Sequence, residues 1–228
     1  MSAISLHGVT VRLGETTALD DVTLHLDART IAIVGDNGSG KSTLARVIGG
    51  LVPPASGRVT VHGVDPVRQA RELRRIVAIV FSNPDAQIIM PTVQEDVAFS
   101  LRSAKLPRGT ATERVQAALE EFGLAELAGR SAHELSGGQK QLLALCGAFV
   151  RRPELVVADE PTALLDARNG RCVADHLLGG DAHRLVLVTH DLALAARCDA
   201  AVLVADSRIV ASGPSAEVVA AYERSLVC

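Results

Sequence analysis

The stretch Thr30-Ile31-Ala32-Ile33-Val34-Gly35-Asp36-Asn37-Gly38-Ser39-Gly40-Lys41-Ser42-Thr43 decides the fold. An apolar run closed by glycine reads as a strand buried on both faces of a sheet. Residues 35–43 match Gly-x-x-x-x-Gly-Lys-Ser/Thr in full, and 44–51 read as a helix stopped by Pro53-Pro54. Strand, glycine-rich loop and helix form the context in which this pattern holds phosphates. Glycines let backbone N–H groups turn toward phosphate oxygens, and the helix N-terminus adds a favourable dipole. Gly35, Asp36, Asn37, Gly38, Ser39, Gly40, Lys41, Ser42 and Thr43 are therefore the expected nucleoside triphosphate site. Within it Lys41 can reach the β- and γ-phosphates, and the Ser42 hydroxyl suits Mg²⁺.

Upstream, 4–11 and 18–26 read as two strands of a small antiparallel sheet, turned at Gly14-Glu15. Downstream, 58–62 and 75–80 read as strands, with a charged helix over 67–73 between them. From Pro91 to Val150 helical patterns take over, at 92–101, 112–122 and 139–150. Residues from about 83–150 are expected to form a helical subdomain inserted in a single domain spanning 1–228. Strand-like runs resume at 155–159, 185–190, 200–205 and 208–212, and a helix over 214–226 follows. Alternating strands and helices predict an α/β fold with a mostly parallel sheet and ligands at the strand C-termini.

Composition bounds the partners. With 228 residues, 48% apolar and 21% charged, the chain suits one large domain and excludes a disordered one. The balance of 23 basic against 26 acidic residues, net −3, argues against nucleic acid as a partner. Aromatics are 2%, with no Trp and one Tyr, which leaves almost no base-stacking platform. The longest apolar run, 142–150, is about half the ~18 residues of a membrane span. The N-terminus lacks the basic start and apolar core of a secretory signal. Cys146, Cys172, Cys198 and Cys228 are scattered without metal-ligand spacing and are expected as small buried hydrophobes. A mean hydropathy of +0.25 fits an apolar docking face.

Two further segments carry chemistry. Leu155-Val156-Val157-Ala158 leads into Asp159-Glu160, which a parallel strand delivers to the sheet edge beside the phosphate loop. There Asp159 can hold Mg²⁺, and Glu160 can polarise an attacking water. Leu135-Ser136-Gly137-Gly138-Gln139 has two readings. Ser136 and Gln139 form a capping box for the next helix, which leaves two costly glycines unexplained. Exposed glycine N–H groups beside a serine hydroxyl make an anion site.

Together these motifs, in this order along the whole chain, resemble the ATP-binding cassette (ABC) ATPases. The resemblance implies their nucleotide-binding fold: a P-loop NTPase core, a small N-terminal antiparallel β subdomain and an inserted helical subdomain. It implies that Ser136, Gly137, Gly138 and Gln139 close on ATP held by another subunit. His190, in Thr189-His190-Asp191, matches the family's switch histidine, and Asp166 matches the loop that crosses the dimer interface. Phe81-Ser82-Asn83-Pro84-Asp85-Ala86-Gln87, followed by 91–99, looks like the ATPases of energy-coupling-factor (ECF) importers of vitamins and metal ions. In that family this segment grips a coupling helix of a transmembrane T-component. The resemblance implies a homodimer, or a heterodimer with a relative, peripheral on the cytoplasmic face of the membrane. Its partners there are a T-component and a small substrate-binding membrane subunit. The ATPase makes no direct contact with the cargo. A chain that stops soon after 214–226 resembles dedicated, single-substrate systems, biotin first and cobalt or nickel second.

Three positions depart from the family. Ser82 replaces a glutamine that reaches toward Mg²⁺ and water, so weaker coupling to hydrolysis is expected. Leu13 stands where an aromatic residue stacks on adenine, so weaker ATP affinity or relaxed base selectivity is expected, unless Arg12 substitutes. Leu164 puts a large apolar side chain in the loop before Asp166. Two alternatives stay open: the ATPase of another ABC transporter, and a soluble ABC ATPase acting on nucleic acid or ribosomes. A kinase or GTPase is argued against by residues 135–139 and by the lack of an Asn-Lys-x-Asp segment.

Overall fold

The computed structural model describes residues 3–226. In chain order its elements are β1 (Ile4–Leu13), β2 (Thr16–Leu26), β3 (Thr30–Val34), α1 (Lys41–Ile48), β4 (Ser56–Val61), α2 (Ala70–Ile76) and β5 (Val77–Phe81). There follow α3 (Val93–Ser100), α4 (Arg108–Glu121), α5 (Gly137–Phe149), β6 (Leu155–Asp159), α6 (Ala167–Leu178) and β7 (Arg184–Val188). The last are α7 (Leu192–Ala195), β8 (Ala200–Ala205), β9 (Arg208–Pro214) and α8 (Ser215–Ser225). They divide into two compact units. The first holds residues up to Ala78, Glu154–Glu160 and the chain from Gly180 onward; the second holds Ile79–Pro153 and Pro161–Gly179.

The first unit carries the smaller sheet and all of the larger one except residues 79–81 of β5. β1 pairs antiparallel with β2 and β4 in the order β2-β1-β4. The larger sheet runs β5-β6-β7-β3-β8-β9. Its β6/β7, β7/β3 and β3/β8 pairs are parallel, and β9 returns antiparallel to β8. Every residue of β3 and β6 is buried, as expected of strands covered on both faces. Register fixes the site: Asp159 pairs with Val188 and Val188 with Ile33, so the C-terminal ends of β6, β7 and β3 lie side by side. α1 leaves from the end of β3, packs on β6 and β7, and buries Leu44, Ala45, Val47 and Ile48.

The second unit is helical. α3 opens on a capping box in which Thr92 Oγ1 accepts from the Glu95 N–H while the Glu95 side chain returns to the Thr92 N–H. α3 and α5 pack together around buried Val93, Val97, Leu143 and Leu145.

Three sequence expectations shift, the first being the helix expected over 44–51, which starts inside the phosphate loop and is found at Lys41–Ile48. The helix expected over 67–73 lies at Ala70–Ile76 and displaces the strand to Val77–Phe81. The Asp65 carboxylate accepts from the Val67 and Arg68 N–H groups and so holds 65–68 in a turn. Arg74 and Arg75 then complement the last turn of the helix, where the dipole favours cations. α6 has no counterpart in the sequence reading, because Asn169, Gly170 and Cys172 are weak helix formers and only Val173, Ala174 and Leu177 are buried. Cys146 and Cys198 are buried, and burial pushes both thiols up to about 12. Cys172 departs from that expectation and is exposed; Cys228 lies outside the described residues.

Candidate functional site

The loop between β3 and α1 is shaped by glycines that nothing else can replace. Gly35 has φ 139°, and a Cβ there would lie 2.0 Å from Val204 O. Gly40, the N-cap of α1, has φ 111°, and its Cβ would lie 2.5 Å from Ala18 O. No side chain caps α1, so the orphan N–H groups of its first turn remain for a ligand. Asn37 and Gly38 are exposed at the tip, and Thr43 is buried one turn into the helix.

Lys41 is 7% exposed, and its Nζ donates to Gly35 O at 2.8 Å and to Asp36 O at 2.7 Å. Two of its three donors are thus spent on the loop's own carbonyls. Burial lowers its pKa, opposed by the negative charges of Glu160, Asp36 and Asp159. Ser39 Oγ is buried and has no hydrogen-bond partner. A buried, unpartnered hydroxyl beside a caged ammonium and glycines without room for a Cβ is a cradle that fits a polyphosphate.

At the end of β6, Asp159 is 7% exposed; its Oδ1 accepts from Ser42 Oγ at 2.8 Å. Arg46 Nη2, one helical turn beyond Ser42, stands 3.6 Å from Asp159 Oδ2. A hydroxyl and a carboxylate in contact are the hard oxygen donors that Mg²⁺ selects, so Ser42 and Asp159 fit that ion. Glu160 sits in the left-handed region, φ 51°, where a residue with a Cβ is strained, and its N–H is held by Val188 O at 3.0 Å. Its Oε2 meets His190 Nδ1 at 2.8 Å, just past the end of β7. Lys41, Ser42, Asp159, Glu160 and His190 therefore gather at one sheet edge of the first unit.

Ser136 to Gln139 lie in the second unit and behave locally as a capping box. Ser136 Oγ accepts from the Gln139 N–H at 3.4 Å, and Gln139 Oε1 accepts from the Ser136 N–H at 3.0 Å. Their glycines differ. A Cβ on Gly138 would lie 2.4 Å from the Asn169 side chain, whereas one on Gly137 would meet nothing within 4 Å. Asp166 caps α6, its Oδ1 accepting from the Arg168 and Asn169 N–H groups at 3.0 and 2.8 Å. Those bonds, the Asn169 N–H first, hold its carboxyl below the usual value. Leu164, just before it, is 74% exposed.

The segment 83–92 is also anchored within the second unit. Lys140 Nζ pairs with Asp85 Oδ1 at 2.7 Å, and Asp96 Oδ1 accepts from the Ile89 and Met90 N–H groups at 2.9 and 3.0 Å. Gln87 is spent on the edge of β5, accepting from the Phe81 N–H at 2.8 Å and donating to Ile79 O at 3.0 Å. Ile89 is left 62% exposed. Sequence reasoning misses Arg46, Asn169 and Tyr222, whose hydroxyl meets Asp36 Oδ1. Only Arg46 carries a local signal, the i+4 spacing from Ser42.

Comparison with known proteins gives one family. The family model described as "ABC transporter" matches residues 19–163. A putative ABC transporter ATP-binding protein of Deinococcus radiodurans is 42% identical over 223 residues, covering 98% of each chain. The biotin transport ATP-binding protein BioM of Rhizobium etli is 37% identical over 219 residues, 96% of this chain and 97% of its own. Among solved structures, CbiO1 from Clostridium perfringens, part of the ABC transporter complex CbiONQ, superposes with a TM-score of 0.87. It is 30% identical and is covered over 92% of its length by 98% of this chain.

Proposed function

The chain belongs to the ABC transporter family as an ATP-hydrolysing subunit, and from that premise we propose that it drives an ECF-type importer of a vitamin or metal ion. The observation that carries this reading is the segment 83–92. It is anchored by Asp96 and Lys140 and presents exposed Ile89, as a seat for an apolar coupling helix of a membrane partner would. Among the described residues no helix is long and apolar enough to cross a membrane, so the chain reaches the bilayer through that partner. It sits peripherally on the cytoplasmic face, beside a T-component and a small substrate-binding subunit. The name of one relative supports biotin as the first cargo, and cobalt or nickel stands second by resemblance to the family alone.

In this reading the loop from Gly35 to Thr43 binds ATP, with Lys41 on the β- and γ-phosphates. Ser42 and Asp159 would hold Mg²⁺, which would supply charge neutralisation. Glu160 takes the proton of the attacking water, and His190, already bonded to Glu160, orients it toward the γ-phosphate. Ser136, Gly137, Gly138 and Gln139 close over the nucleotide of a second ATPase subunit. The open space around Gly137 and the exposure of Leu164 support a partner at that face. The γ-phosphate then biases a two-state separation of two subunits, which the seats on 83–92 pass to the membrane.

A mild-detergent pull-down from native membranes, read by mass spectrometry, tests the assignment. One T-component with a small multi-span subunit is the expected catch. A conventional permease pair would overturn the ECF reading and leave the ATPase chemistry intact. Ser82→Gln in the complete transporter is expected to raise ATPase and transport rates, and unchanged rates would sink the role given to Ser82. Leu13 is exposed at the end of β1, where no aromatic face is offered to adenine. Weak discrimination between ATP and GTP is expected there, and a titration checks it.

A further inference from the structure

α8 is fixed on the first unit before it reaches the phosphate loop. Val218 and Val219 are buried, and Ser215 Oγ donates to Ala195 O at 2.6 Å. About two turns on, Tyr222, the chain's single tyrosine, donates its hydroxyl proton to Asp36 Oδ1 at 2.7 Å. Asp36 is the second residue of the loop. Its backbone oxygen accepts from Lys41 Nζ at 2.7 Å and from the Ser39 N–H at 3.2 Å. Its carboxylate is a negative charge in a segment that must receive a polyphosphate, and it acts on the Lys41 ammonium electrostatically. Left free, that carboxylate repels the phosphates and competes with them for Lys41.

We propose that Tyr222 is a positioning residue for ATP binding, holding the Asp36 carboxylate in a hydrogen bond so that Lys41 stays available to the phosphates. The phenol suits this task over the physiological pH range: burial and the Asp36 charge push it up to about 12, so it remains a proton donor. The inference rests on the assignment of Lys41 to the nucleotide phosphates.

The test is steady-state ATPase kinetics of the full chain with MgATP. Tyr222→Phe keeps the ring and deletes the donor. Its KM is expected to rise about three- to tenfold, the ratio one charge-assisted hydrogen bond commands, while kcat changes by less than about twofold. The defect should shrink in high salt, because its cause is an exposed charge. With that charge removed, the phenol has nothing to hold, so Tyr222→Phe/Asp36→Asn should have the same KM as Asp36→Asn alone. An unchanged KM in Tyr222→Phe would overturn the proposal. So would an equal rise in KM when Tyr222→Phe is added to Asp36→Asn, since Tyr222 would then act only through the seating of α8. Lys41→Ala run alongside separates the two levels: if it leaves KM and kcat intact, the Lys41 assignment fails whatever Tyr222 does.

Discussion

α1 and α5 both begin on a glycine-rich motif, yet their glycines are there for different reasons. At α1 the chain itself demands them: Gly35 and Gly40 have positive φ, and a Cβ on either would strike the backbone of Val204 or Ala18. At α5 only half of that holds. Gly138 makes room for Asn169, but Gly137 occupies open space and has no positive φ, with a complete capping box around it. An alanine at Gly137 would favour the helix, so nothing in its own surroundings accounts for the glycine, and the proposed closure of a second subunit on this segment would. On the proposed function, the first site holds its ligand by itself and the second is covered by a partner.

The largest break in that comparison removes chemistry from the first unit alone. Glu160→Gln keeps the shape and the strained backbone while deleting the proton acceptor that His190 contacts. ATP turnover is expected to fall by about 10²- to 10⁴-fold, the usual contribution of a general base. ATP binding, measured by titration calorimetry, should survive. Residual turnover above a tenth of wild type would take the role of base away from Glu160.

The paired glycine changes come next. Gly35→Ala should cost about 2 kcal/mol or more of stability, from the forced φ and the contact with Val204 O, and should lower the Tm. Gly137→Ala should leave the stability unchanged or raise it by up to the ~1 kcal/mol that separates Ala from Gly in a helix, with a Tm equal to or above that of wild type. Its ATPase activity should nonetheless fall, as a face that must be approached closely would require. A Gly137→Ala variant with full activity would reduce the segment to the capping box that its local bonds already describe.

How far each site could be read in advance follows the same division. Strand, phosphate loop and helix were legible from residues 30–51 because their constraint is local. A buried run, left-handed glycines and the Lys-Ser pair all lie within one short window. Asp159-Glu160 was legible because a parallel strand delivers its last residues to a known edge. Tyr222 and Asn169 escaped because their contacts join residues far apart in the chain. Tyr222 reaches Asp36 across 186 positions, and Asn169 fills the space beside Gly138 from a helix that opens on weak helix formers. The shifted α2 turned on side-chain bonds from Asp65, which competes with helix for backbone N–H groups in a way periodicity does not register.

The smallest effect separates the two units by pH. Each carries a half-buried histidine whose pKa burial lowers from 6.5: His62 in the first and His176 in the second. His176 stacks on Phe122 with ring centroids 4.3 Å apart, while Glu121 and Asp175 pull weakly the other way. A histidine whose folded value is depressed binds its proton more readily when unfolded. Stability is therefore untouched above 6.5 and is lost as the pH falls from 6.5 through the lowered folded value. Hydrogen exchange at pH 7.5 and 5.5, corrected for intrinsic rates, reads each unit separately. His176→Phe should keep the stacked contact and abolish the acid-induced loss of protection in α4 and α6. The first unit, which retains His62, should keep its own. Equal loosening of α4 and α6 in wild type and variant would assign the acid sensitivity to another group.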